Sequence, residues 1–474
     1  MKRQLLLRAL LPAFLCASPL AAAQFSSGNL VVLRVGNGSA ALSNASQAVF
    51  LDEVTVEGAF VQSLALPTAV DGLNFPVTVS GSATSEGLIN LSADGQYLVS
   101  VGYGTTPGLG SVVSTASDVV PRVIARIGLD GSIDTTTAIT DAFSGNNIRS
   151  ATTDDGSRFW AAGANGGVRF VDLGASSSLG LNSAGPFNNR FVSIYDGQLY
   201  VSSATGAFRG VSAVGTGLPT AFDQTVTLLS GFPTSSGPST YDYFFADANT
   251  LYTADDRTNG SGGIERWTFD GSVWTREYTL APASNVGFRG LSGLVRGGKV
   301  FLFGSATNSQ LYRVSDEGAG SSFTSLASPG SNTVFRGLRL LPPVAAPAGV
   351  AFGVGNAGLS GTPVLSAEQI SLLGFTDLAL VGSNLTPGFP TLLIGADTSL
   401  PLPLPLFGLA TINVAGNVLL QLPKVTAVDG TVRHDLELGP TVPAGITLHW
   451  QIFGFDGVGG NLLSASNGLS YTTL

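Results

Sequence analysis

The chain has 474 residues, of which 22 are basic, 31 acidic, 62 glycine and one cysteine. At 11% charged residues it is too poor in Lys and Glu for a helical protein with solvated faces, and the lack of any basic run excludes nucleic acid as a partner. Short strands joined by Gly, Ser, Asn and Asp turns fit such a composition.

The first element is a targeting segment. Lys2, Arg3 and Arg8 precede the apolar run "ALLPAFLCASPL", and the small residues Ala21 to Ala23 suit a signal peptidase. Residues 1–23 are therefore expected to leave as a signal peptide, with Gln24 as the new terminus and the product secreted, extracellular or cell-surface associated. Leu15 before Cys16 does not suit lipidation. Removal takes away the only cysteine, so no disulfide, Cys-bound metal or thiol nucleophile remains. It also leaves 19 basic residues against 31 acidic, a net charge of −12. No later apolar stretch is long enough to span a membrane.

Next comes a repeat. "SNVGFRGL" (284–291) returns as "SNTVFRGL" (331–338), and the arginine of this phrase aligns with a charged residue in each earlier unit. The slots are Glu86, Arg149, Arg190, Asp242, Arg289 and Arg336, at successive offsets of 63, 41, 52, 47 and 47 residues. A four-stranded propeller blade needs about 40–50 residues. Within each unit a short apolar strand follows the slot. A turn then comes, at Asp94-Gly95, Asp155-Gly156, Asp196-Gly197, Ala248-Asn249 or Gly297-Gly298, and an alternating strand follows it. Second hairpins such as "ARIGLDGSIDTTTAI" complete four strands. The last copy, "FRGLRLLP", stops after one strand, while "GNLVVLRVG" onward supplies three strands and lacks the first. Joined, they complete one blade and close a ring without exposed edges. The expectation is an all-β chain with a six-bladed β-propeller over residues 24–343. The long first offset leaves room for a seventh blade.

"PPVAAPAGVAFGVGNAG" breaks the pattern, so 344–357 reads as a linker. Residues 358–474 then offer eight short strands, which suit a β-sandwich. The order "LALVGSNLTPGFPTLLIGAD…PLPLPLFG…SASNGLSYTTL" resembles a C-terminal module common in exported proteins of planctomycetes and related bacteria. That family usually carries a cysteine mid-module, which this chain lacks. The resemblance implies an accessory or surface-associated role for the sandwich. The propeller half, with "SEGLINLSADGQYLVSVGY", is similar to secreted bacterial propeller-like proteins.

Chemistry is sparse. His434 and His449 both lie in the expected sandwich, so histidine acid–base work and His-bound metals are excluded from the propeller. His449 alternates with Leu448 and Trp450 on a strand and reads as a solvated-face residue. No G-x-S-x-G elbow or phosphate loop is present. Calcium is the one metal the loops could take, at Asp154-Asp155 and Asp255-Asp256, although turn formation explains both pairs. Trp160, Trp267, Trp274 and the run from Tyr241 to Phe245 read as packing rather than a sugar platform.

The six slots, all charged in a weakly charged chain, are the candidate site. First strands line a propeller's channel, so Glu86, Arg149, Arg190, Asp242, Arg289 and Arg336 are expected as a ring. Two readings stand. The ring is an ion-pair plug, or its excess of arginine takes an anionic ligand. The function expected is a non-catalytic binding or surface protein, with an anionic glycan or another surface protein as partner. The alternative is a propeller hydrolase or lyase acting on an extracellular polysaccharide or lactone.

Overall fold

The structure is a computed structural model that describes residues 24–473 except 284, 356, 358, 407–409, 440, 441 and 456–462, with backbone alone for 398–406, 410–413 and 415–420. The expected signal peptide, residues 1–23 with Cys16, lies outside the described residues. Most of the described chain is strand, and the single helical element is the 3₁₀ turn Val112–Ser114. No helix among the described residues is long and apolar enough to cross a membrane.

Residues 30–340 form a β-propeller. Four consecutive antiparallel sheets each have four strands, beginning at Ile148–Thr152, Val192–Tyr195, Thr240–Asp247 and Phe288–Arg296. Ahead of them lies a nine-stranded sheet made of two such units. One unit is Asn90–Leu91, Tyr97–Tyr103, Arg122–Gly128 and Ile133–Ile139. In the other, Val334–Leu340 pairs with Leu30–Val35, which continues to Ser46–Val54 and Phe60–Ala65. The short strand Thr78–Ser80 joins the two units by pairing with both Ser46–Val54 and Tyr97–Tyr103. The chain's late strand therefore sits beside its first, in the register Leu30↔Leu340 to Val35↔Val334. The long first offset arises from the excursion 104–121, which carries the 3₁₀ turn between two paired strands.

The alternation of side chains explains how the sheets stack. Val31, Leu33 and Val35 pack in one cluster with Leu98 and Ile127 of the next unit, while Leu30 and Val32 pack in another with Phe301, Phe303 and Leu311 of the last. Val99 and Val101 turn the other way, towards Ile148, Ala151 and Phe159. Trp160, Trp267 and Trp274 are all core residues. The turns Asp196-Gly197 and Gly297-Gly298 have positive φ at both positions (46° and 71°, 59° and 66°), as a two-residue type I′ hairpin requires.

Beyond residue 345 two further sheets face each other. One is ordered Ala346–Ala348, Val364–Leu372, Phe375–Ser383, Val432–Leu438. The other is ordered Val350–Phe352, Gly468–Thr472, Thr447–Phe455, Pro390–Leu406, Ala410–Val425. Leu365, Leu378, Leu380, Leu393, Trp450 and Ile452 fill the space between them. Residues 346–352, expected as linker, thus contribute two short strands. Pro347 lies on an outermost strand, where a missing N–H costs no ladder bond, and its presence disguised the segment. The sandwich meets the propeller through Arg296, whose guanidinium donates to the Ile370 and Phe375 carbonyls and pairs with Asp377 at 3.1 Å.

His449 is half-buried rather than solvated, and its Nδ1 lies 2.8 Å from Ser470 Oγ. His434 is 2% exposed, and burial beside Lys424 brings it down to about 4 from an ordinary 6.5. Its stabilising contribution is fully present above pH 6.5, where both states are neutral. It declines as pH falls from 6.5 to about 4, because the unfolded chain takes up the proton first. Acid titration of the sandwich is expected to show this slope, and His434→Leu to flatten it. An unchanged slope in the variant would refute the assignment.

Candidate functional site

Each slot is placed where a first strand begins, and its side chain reaches a neighbouring blade. Glu86 is 1% exposed and accepts from Ser80 N at 2.8 Å, Tyr103 Oη at 2.5 Å and Asn147 Nδ2. Burial pushes its carboxyl up, against the pull of those donors. Arg149 Nη1 donates to Asn188 Oδ1 at 2.7 Å and to the Asn189 carbonyl at 2.9 Å. Arg190 Nη1 donates to Ser239 Oγ at 2.8 Å and its carbonyl at 3.2 Å. Arg336 donates to the carbonyls of Ala83, Glu86, Ser80 and Gly81, and burial lowers it to about 10. A long charged side chain suits this slot because it spans the gap to the segment entering the next blade.

Two guanidiniums lie over one ring, and two more occupy the adjoining slots. Arg190 lies over Tyr241 at 4.0 Å and Arg289 at 5.7 Å. Two carboxylates serve this cluster, Glu86 and Asp256. Asp256 sits 3.1 Å from Arg289 and 3.7 Å from Arg190. Counted formally, two positive charges are unmatched. Arg149 Nε and Arg336 Nε are buried with no hydrogen-bond partner among the described residues, which is costly unless something else binds there.

Asp242 does not join this cluster. Wholly buried, it forms a two-pronged fork with Arg339 (2.7 and 3.0 Å) and accepts from Leu291 N at 2.9 Å. Arg339 also donates to the Leu291 carbonyl and to Asn90 Oδ1, at 2.8 and 3.3 Å. Asn90 in turn donates to the Ala151 and Val192 carbonyls, both at 2.8 Å. Arg339, Asp242 and Asn90 thus tie together the first strands at Asn90, Ile148, Val192, Thr240, Phe288 and Val334. Further along the same strands a recess of about 240 Å³ is lined by Tyr195, Tyr243, Phe245, Leu291 and Arg339.

Sequence reasoning missed two residues. Arg339 lies three places after Arg336, a signal that alignment on a single slot passed over. Asp256 was read as half of a turn pair, yet it supplies the carboxylate that Asp242 was expected to give the arginines. The other acids of the two calcium candidates are engaged as well: Asp154 by Arg158 at 2.5 Å, Asp155 by Ser157 at 2.6 Å, and Asp255 by Arg257 at 2.8 Å. Among the described residues no group of three or more His, Cys, Asp or Glu could hold a metal.

No protein-family model matches the chain, and no curated protein matches it. Solved structures similar to it include the following three. The extracellular domain of the putative one component system BT4673 from B. thetaiotaomicron is 10% identical, with 94% of this chain and 59% of that one covered and a TM-score of 0.35. YCF48 bound to D1 peptide is 13% identical, with 66% and 93% covered and a TM-score of 0.35. The β-propeller domain of Cps50 (Swd1) from Myceliophteria thermophila is 11% identical, with 58% and 94% covered and a TM-score of 0.34. The chain spans about three fifths of the first of these.

Proposed function

We propose that this is an exported, non-catalytic binding protein. Its residues 24–343 form a six-bladed ring, and the arginine-rich end of the channel takes an anionic ligand. The sandwich serves as an accessory module of the kind found on planctomycete exported proteins. One observation carries the binding reading: Arg190 and Arg289 lie over Tyr241, Arg149 and Arg336 hold the adjoining slots, and only Glu86 and Asp256 offset the four charges. Guanidinium forks match oxyanions, and water-poor surroundings strengthen that match. Both carboxylates are already engaged, and among the described residues no further carboxylate or histidine joins the cluster, which favours binding over carboxylate-assisted hydrolysis.

Calorimetric titration with a uronate oligomer and with sulfate tests the reading. Arg149 touches neutral partners only, so Arg149→Gln is expected to weaken binding about tenfold or more, the loss of one charge-assisted contact. Its melting temperature is expected to stay near the parent's, since one like charge leaves the cluster. Unchanged affinity would make the cluster a plug and nothing more.

A further inference from the structure

The acid between Arg190 and Arg289 is the unusual member of the site. Asp256 Oδ2 lies 3.1 Å from both Nε and Nη2 of Arg289, while Oδ1 faces Arg190 Nη1 at 3.7 Å. One carboxylate therefore spans the two guanidiniums that lie over Tyr241. These distances are long beside the 2.7–2.9 Å of a strong charge-assisted bond. The adjacent Asp255, with Arg257 at 2.8 and 3.0 Å, is held more closely.

The backbone at Asp256 cannot shift easily. A Cβ on Gly287 would stand 2.5 Å from the Asp256 carbonyl carbon, and Asp256 N donates to the Ser239 carbonyl at 3.3 Å. The side chain is 17% exposed and needs only a rotation about its first torsion to leave the arginines for water. Beside it Ser239, whose carbonyl accepts from Asp256 N and whose hydroxyl accepts from Arg190, presents a neutral hydrogen-bonding group, the chemistry that suits sugar hydroxyls.

We infer that Asp256 is a built-in occupant of the anion position, and that the carboxylate of a uronate-bearing glycan replaces it on Arg190 and Arg289. The inference rests on the binding reading above and sharpens it in two ways. It names the ligand's charged group as a carboxylate, and it makes affinity a competition with the protein's own acid. Asp256 then sets a threshold, because a group that grips the two guanidiniums less well than a tethered carboxylate does not displace it.

The test titrates the full mature chain with trigalacturonate, and with a triglutamate peptide in parallel. Asp256→Asn is expected to bind trigalacturonate about tenfold tighter than the parent, because the competitor loses its charge. Asp256→Ser, shorter and neutral, is expected to do the same and guards against an asparagine that keeps the old contacts. Equal or weaker binding by both variants, with the parent still binding and Arg149→Gln failing to, overturns the role of Asp256 and leaves the binding reading intact. Absence of binding by parent and variants alike overturns both. Tighter binding of triglutamate than of trigalacturonate overturns the choice of a glycan.

Discussion

Deleting residues 334–341 is expected to abolish the cooperative melt of the propeller, not merely to lower it. Phe335, Leu338 and Leu340 are buried against Leu30, Val32 and Phe303, and Leu341 packs in the neighbouring cluster. Truncating one such side chain costs roughly 2–5 kcal/mol. Losing four together matches or exceeds the roughly 5–15 kcal/mol by which domains are stable. The deletion also strips Leu30–Val35 of a strand partner and removes Arg339, which gathers the other first strands. Circular dichroism and calorimetry of the deleted chain decide the matter. A sharp transition at the parent temperature would show that the ring does not depend on its seam.

Asp242→Ala is expected to be the most damaging single substitution at the channel. It leaves Arg339 buried without its counter-charge, a situation that costs roughly 3–5 kcal/mol. For a domain of this size that is a fall in melting temperature of about 5–8 °C. The companion experiment separates charge from shape. Asp242→Leu combined with Arg339→Met removes both charges and is expected to recover much of the loss, since an apolar pair of similar volume often equals a buried ion pair. If Asp242→Ala melts like the parent, the axial tie is ornamental, and the first strands are held by their backbone pairing alone.

Local chemistry explains what could be read early. The propeller was legible because its units write alternating apolar residues and an Asp-Gly, Gly-Gly or Ala-Asn turn, signals that depend only on near neighbours. Ring closure was legible for the same reason: an orphan strand at one end and a three-stranded start at the other have few ways to combine. The sandwich's first two strands were not, since five of the seven residues 346–352 are Ala, Pro or Gly, poor strand formers. Partners at the site were the hardest to read. Asp242 and Arg339 are 97 positions apart, and Arg289 and Asp256 are 33 apart. Which acid meets which arginine is set by strand tilt and by side-chain direction across the channel. Asp242 and Tyr241 are neighbours in the chain, at the irregularity that interrupts the ladder between Thr240 and Tyr243, and one points to Arg339 while the other lies beneath Arg190. A slot-by-slot alignment carries no such directions.

The seam has a mechanical meaning as well. The strand Val334–Leu340 that completes the ring is also the one from which the chain departs for the sandwich. If the sandwich is held at a surface while a ligand pulls on the channel, the load enters along this strand's own axis. Its ladder to Leu30–Val35 is then stretched in shear, with many bonds sharing the force at once, instead of being peeled bond by bond from one end. A seam loaded this way resists tension better than the same ladder peeled from its end, and it fails all at once when it fails.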